Sequence, residues 1–215
     1  MSITTYAELV TALDGATGYF HRTDLTAKIP DFIKIAESRM NRRLRLSSQE
    51  QETTLTATVS SRTGATMATP TRFGQPVGLW LTTYLPRSEM TYVLPEQLPV
   101  TTSNGGSSYY TVDGDYIATE NPADQAYTYA LRYLQTLSLQ TTSTNYVLSD
   151  YPDMYIYGTL LASAGYTQDQ SQAAMWSSLF DLAIKEAISD TIATKSKAML
   201  RTEFSHERSN IFRGY

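Results

Sequence analysis

Two segments with a helical spacing of apolar residues, 29–46 and 151–197, constrain the fold most strongly, because a long strand-like region separates them. In the first segment, apolar residues recur every three or four positions, from Ile29 through Phe32 and Ala36 to Leu44. The second segment carries a continuous apolar stripe that includes Trp176 and Phe180. Such stripes are buried when amphipathic helices pack on one another. The sequence therefore predicts a helical bundle built from both ends of the chain.

The region between these helices has the composition of β-structure. From residue 49 onward it is rich in Thr, Ser, Tyr, Val, Gly and Pro and has no sustained helical period. Asp113-Gly114 is typical of a tight hairpin turn. The alternating side chains Tyr127, Tyr129 and Leu131 are typical of a half-buried strand, which we expect to pair with that hairpin. We predict a small antiparallel sheet.

The predicted fold class is therefore mainly α with an inserted β region (α+β). An antiparallel helical bundle would come from the N- and C-terminal helices, and the small antiparallel sheet would be an insertion. We expect one domain with four segments: N-terminal bundle helices in 1–48, a β-rich region in 49–148, C-terminal bundle helices in 149–199 and an extended docking tail in 200–215.

Composition narrows the function classes. The 215 residues can bury a real core, and the net charge of -4 lacks the basic excess typical of proteins that grip phosphate backbones. Without cysteine there can be no disulfides, thiolate metal sites or cysteine nucleophiles. No segment has the length and apolarity of a membrane span, and the first twenty residues do not form a signal peptide. We expect a soluble, non-secreted protein with no membrane contact.

Catalytic motifs are sparse. The histidines are His21 and His206, and neither lies near a nucleophile or metal motif. Asp113 and Asp115 flank a glycine and are typical of ordinary turn chemistry. We predict no enzyme and no catalytic, metal or cofactor-binding residue. The enzymatic alternative is a hydrolase of cell-wall polymer that uses Asp113, Asp115 or Glu120 as acid and base.

Two sets of residues are candidates for contacts with other proteins. A basic run near the end of the first long helix is expected to be a solvated face or a subunit contact, although it could also meet phosphates: Arg39, Arg42, Arg43 and Arg45. The tail carries aromatic and arginine residues of the types enriched at interface anchors. We expect these to bind a partner protein or a neighbouring subunit: Arg201, Phe204, Arg208, Phe212, Arg213 and Tyr215.

Three segments resemble a known family. Residues 24–45 read DLTAKIPDFIKIAESRMNRRLR, residues 151–164 read YPDMYIYGTLLASA and residues 172–184 read QAAMWSSLFDLAI. The first resembles the signature helix of tailed-phage head-tail adaptor proteins, and the other two resemble that family's helical core. Met40 stands where the family more often has leucine.

The resemblance implies a structural virion protein at the head-tail interface, made in the host cytoplasm. Such adaptors form a homo-oligomeric ring, usually of twelve copies, that joins the portal protein to the tail or nozzle protein. During genome ejection, double-stranded DNA passes through the ring without sequence-specific binding, and no cofactor is implied. The alternative within the same class is another neck or tail-completion protein, which would bind the tail tube instead of the portal.

Overall fold

The structure, a computed structural model, describes residues 3–15, 17–57, 65–99 and 101–211, with the backbone alone over 195–211. The chain divides into two compact units. Unit 1 consists of Met1–Ser48 and Leu137–Tyr215, and unit 2 is Gln49–Thr136. The long helices predicted from the sequence belong to unit 1, and the strands belong to unit 2.

Unit 1 is helical. Its α-helices in the described part of the chain are Tyr6–Leu13 (α1), Ile29–Arg43 (α2), Leu139–Thr142 (α3), Tyr146–Asp150 (α4), Pro152–Thr167 (α5) and Gln170–Ile211 (α6). Thr5 caps α1 through a capping box: the Glu8 amide donates to the Thr5 hydroxyl, and the Thr5 amide donates to the Glu8 carboxylate. Pro30 and Pro152 lie in the first turns of α2 and α5, where a missing amide hydrogen costs little.

The core of unit 1 forms where three helices meet. Gly158 of α5 lies between α2 and α6, and a Cβ atom at this position would be 3.0 Å from both the Ala36 Cβ and the Phe180 ring. Ala36 and Phe180 are buried in the same apolar cluster. The glycine allows the three helices to approach closely. The stripes predicted on α2 and α6 therefore pack in one core.

A polar pair on α2 holds the chain where it returns from unit 2. Asn41 donates to the Leu137 carbonyl (3.1 Å) and accepts from the Leu137 amide (2.7 Å). One turn earlier, Glu37 Oε1 accepts from the Leu139 amide (2.6 Å) and from the Tyr155 hydroxyl (3.1 Å). Glu37 is only 5% exposed, and it satisfies polar groups that would otherwise be buried without a partner.

Burial makes unit 1 sensitive to the ionisation of Glu37. Desolvation raises the pKa of this carboxyl above its usual 4.5, and the hydrogen bonds from Leu139 and Tyr155 offset only part of that rise. The folded state thus favours the neutral acid. The contribution of Glu37 to the stability of unit 1 is complete below the unfolded-state pKa of this carboxyl. It is lost as pH rises through the raised folded-state pKa.

We expect Glu37→Gln to remove this loss of stability with rising pH, because both donors bond to Oε1 and a glutamine oxygen can accept them. Denaturant unfolding of both proteins, at pH values from below the unfolded-state pKa of Glu37 to above its folded-state pKa, measures the effect. Glu37→Ala is the matched variant: it leaves buried donors unsatisfied, at a cost of about 1–3 kcal/mol for each group. Equal pH dependence of the wild type and Glu37→Gln would contradict the assignment.

Unit 2 is built on one sheet. Its strands in the described residues are Glu50–Ala57 (β1), Thr66–Ala68 (β2), Phe73–Leu81 (β3), Ser88–Tyr92 (β4), Tyr109–Asp113 (β5), Tyr116–Thr119 (β6) and Tyr127–Gln135 (β7). The strand order is β1-β7-β3-β4-β5-β6-β2. Neighbouring strands are antiparallel except for β4 and β5, which pair in parallel.

The predicted fold class was wrong. The structure has a seven-stranded mixed sheet that is nearly a barrel, and it is not a helical bundle with a small antiparallel insertion. The Asp113-Gly114 hairpin does join β5 to β6, with Gly114 at φ 56°. However, β7 pairs with β1 and β3 and not with that hairpin, so the expected pairing was also wrong.

Two physical features hid the sheet from a local reading of the sequence. One interior strand, β7, pairs with β1 along Glu50↔Leu134 to Ala57↔Tyr127, and no turn signal marks a pairing between such distant segments. Strand β3 contains Gly74, Pro76 and Gly78 and two register shifts against β7. Glycine and proline normally argue against a strand interior, and here they accompany irregular pairing.

Candidate functional site

Arginines at the end of α2 form one wall of a surface groove, hereafter the arginine groove, of about 530 Å³. Helix α5 contributes Leu161, and α6 completes the opposite wall. The lining residues are Arg39, Arg42, Arg43, Leu161, Ser177, Phe180 and Asp181. Residues 39, 42 and 43 share one side of α2 because of the helical spacing, next to the buried stripe that ends near Met40.

Arg43 is held in place by α6. Its Nη1 lies 2.6 Å from Asp181 Oδ1, and its guanidinium carbon lies 5.9 Å from the centre of the Phe180 ring. Both partners of the ion pair are well exposed, so the pair adds little to stability, on the order of 0–1 kcal/mol. Its main consequence is geometric, since it fixes one wall of the groove.

The other two arginines of the groove are available to a partner. Neither Arg39 nor Arg42 makes a hydrogen bond or ion pair with any residue that the structure describes. Arg39 is partly exposed and Arg42 is exposed. Three guanidinium groups and the single Asp181 carboxylate leave the groove with two positive charges. Guanidinium groups bind carboxylates and phosphates through paired hydrogen bonds, so the groove suits an anionic partner.

Arg45, grouped with these arginines in the sequence, lies apart from the groove lining. Its Nη1 donates to the carbonyls of Asn41 (3.1 Å) and Leu44 (2.7 Å), which are free acceptors at the end of α2. It therefore caps the helix. The groove brings together Arg39, Arg42 and Arg43, and their role as a subunit contact stays a prediction.

The partners that α6 supplies were not predicted as site residues. Phe180 and its neighbours were read only as part of a core stripe, and Asp181 lies 138 positions from Arg43 in sequence. The available signal was the i, i+3, i+4 spacing of Ser177, Phe180 and Asp181, which places them on one side of a helix. That spacing does not reveal which helix lies opposite.

The structure describes none of the side chains of the six candidate tail residues. The backbone of Arg201, Phe204 and Arg208 belongs to α6, and their side chains are outside the description. Phe212, Arg213 and Tyr215 lie outside the described residues. Their docking role stays a prediction.

Of the carboxylates of the hydrolase alternative, Glu120 lies apart from Asp113 and Asp115. Asp113 and Asp115 flank the β5–β6 turn, whereas Glu120 follows the far end of β6, about 15 Å or more from Asp115 at the rise of an extended strand. Glycosidase carboxylates lie within about 5–10 Å of each other. Glu120 is buried and accepts from the Ser108 amide (2.8 Å), which indicates a structural role.

The described residues give no support for a metal site or a membrane span. No group of three or more His, Asp or Glu side chains among them could hold a metal ion. No helix in the described part of the chain combines the length and the apolar character that crossing a bilayer requires.

Comparison with known proteins identifies the family. No curated protein matches the chain. The family model described as SU10 adaptor protein matches residues 4–202, a range that contains all seven strands and α6 up to its last turns. This match confirms the resemblance to tailed-phage head-tail adaptors. The chain therefore belongs to the SU10 adaptor protein family, a family of structural phage adaptor proteins.

Proposed function

We propose that the protein is a head-tail adaptor that forms a ring of twelve copies and joins the phage portal to the tail or nozzle. The observation that carries this proposal is the family match over residues 4–202. An adaptor acts through contacts with other head and tail proteins, so its functional residues belong on surfaces. The arginine groove is such a surface, because two of its cations are unpaired among the described residues.

In this proposal, each unit of the chain has its own role. The helices of unit 1 build the wall of the ring, and the sheet of unit 2 faces the next tail component. The genome passes through the lumen without sequence-specific contact. The net charge of -4 supports this last point, because a lumen through which DNA slides should not hold phosphates tightly.

The last residues of the chain are proposed to dock on the portal or on a neighbouring subunit. Among side chains that the structure describes, the buried residues of α6 are Phe180, Ala183, Ile184 and Ala187. Residues 201–215 lie well past that set.

Deleting residues 201–215 should abolish portal binding and leave unit 1 folded. The measurement is co-sedimentation with portal rings, with circular dichroism as the folding control. Normal portal binding by the truncated chain would refute the docking role.

Binding to purified partners tests the proposed position in the virion. The protein should bind isolated portal rings and should then recruit the tail or nozzle protein to them. A neck or tail-completion protein would instead bind the tail tube and leave the portal unoccupied. Binding to the tail tube alone would overturn the adaptor assignment and would favour a neck or tail-completion protein.

A further inference from the structure

Unit 1 carries a second charged surface, opposite in sign to the arginine groove. Glu186 and Asp190 are exposed on α6, and Asp150 is exposed at the end of α4; these three residues are hereafter the acidic surface. The Tyr151 hydroxyl donates to Asp190 Oδ2 (3.3 Å). Asp150 directly precedes Tyr151 in the chain, so both carboxylates belong to the surroundings of this tyrosine. Burial, followed by the nearby charge of Asp190, raises the pKa of Tyr151.

The acidic surface is not neutralised within the described chain. None of its three carboxylates forms an ion pair with a residue whose side chain the structure describes. Glu186 and Asp190 are also four positions apart on one helix, an arrangement in which like charges repel. A cationic partner would relieve that repulsion.

The two charged surfaces lie on opposite flanks of α6. Asp181 in the groove and Asp190 in the acidic surface are nine residues apart, which corresponds to about 180° around a helix with 3.6 residues per turn. The buried stripe of α6 runs between the two flanks: Phe180, Ala183, Ile184 and Ala187. One compact unit thus presents a basic surface on one side and an acidic surface on the other.

We propose that these surfaces bind each other between copies of the protein, with Arg39 and Arg42 of one subunit meeting the acidic surface of the next. This inference rests on the proposed function. A contact between two different surfaces is heterologous, and repetition of a heterologous contact closes into a ring when the rotation between subunits permits. Both surfaces are on one chain and opposite in charge, so a second copy supplies the anions that the groove lacks.

Charge reversal tests the pairing. Arg39→Glu/Arg42→Glu reverses the groove and leaves the Arg43–Asp181 pair intact, and Glu186→Lys/Asp190→Lys reverses the acidic surface. The matched control is Lys28→Glu/Lys34→Glu, which makes the same charge change on exposed positions of the same region of the chain. Each protein is mixed with portal rings, and the number of bound copies is measured by mass photometry.

Each reversed variant alone should lose ring assembly by roughly tenfold or more, because like charges then face each other across the contact. The control should assemble as the wild type does. An equimolar mixture of the two reversed variants should restore rings, since every groove of one variant then meets a compatible acidic surface of the other. Restoration also shows that both variants are folded.

Four results would overturn the proposal. Rings formed normally by either reversed variant, or no restoration in the mixture, would refute the pairing while leaving the proposed function intact. A groove reversal that leaves rings assembled but weakens binding of a short DNA duplex would assign the arginines to phosphates instead. A wild-type chain that never assembles on portal rings would overturn the proposed function, and this inference with it.

Discussion

Tyr155→Ala is expected to lower the free energy of unfolding of unit 1 by about 3–5 kcal/mol, the range for removing a buried aromatic side chain. Tyr155 is 0% exposed and is among the largest fully buried side chains. Its hydroxyl donates to Glu37 and accepts from the Asn145 amide (2.7 Å). The substitution therefore opens a cavity and also removes two hydrogen bonds. Denaturant unfolding followed by circular dichroism measures the loss.

Two further variants separate the causes of that loss. Tyr155→Phe keeps the ring and removes only the hydroxyl, so it should cost about 1–3 kcal/mol through the unsatisfied buried partners. Tyr166→Ala, at an exposed position on the same helix, removes a ring contact with Phe32 and should cost only about 0.5–1.5 kcal/mol. If Tyr155→Ala cost no more than Tyr166→Ala, Tyr155 would not belong to the core of unit 1.

Gly158→Val is expected to destabilise unit 1 by about 2–3 kcal/mol, because the added atoms have no space at the crossing of α2, α5 and α6. The first added carbon would already lie 3.0 Å from both Ala36 and Phe180. Relieving these contacts requires the helices to separate. That separation would also disturb the arginine groove, which Phe180 lines. We expect both lower thermal stability and weaker assembly on portal rings.

The matched control is Gly165→Val on the same helix. A Cβ at Gly165 meets nothing within 4 Å, so valine there should be neutral or stabilising by a few tenths of a kcal/mol, as its helix propensity exceeds that of glycine. Equal melting temperatures for the two valine variants would contradict the close crossing at Gly158.

Local sequence signals were sufficient for the helices. The apolar stripes predicted in segments 29–46 and 151–197 are buried in the core of unit 1, and the Thr5–Glu8 capping box and Pro30 in the first turn of α2 are signals of the same local kind. Each of these signals depends on residues within one or two turns of one another. The alternating face of β7 was predicted for the same reason, and Tyr127, Tyr129 and Leu131 are buried.

Long-range pairing could not be predicted in the same way. The partners of β7 follow from packing over the whole of unit 2, and the parallel contact of β4 with β5 involves only Thr91↔Tyr109 and Tyr92↔Tyr110. The arginine groove shows the same limit. Arg39, Arg42 and Arg43 were candidates from the sequence, but the wall that completes the groove comes from a distant helix. The roles of Glu37 and Asn41 also depend on a distant backbone segment.

The measurement that tests the central claim most directly is the mass of the full-length protein, alone and mixed with portal rings of the same phage, by mass photometry. A ring adaptor predicts a portal-dependent gain in mass that corresponds to one copy of this chain for each portal subunit. A portal ring whose mass stays the same when the protein is added in large molar excess would contradict the account.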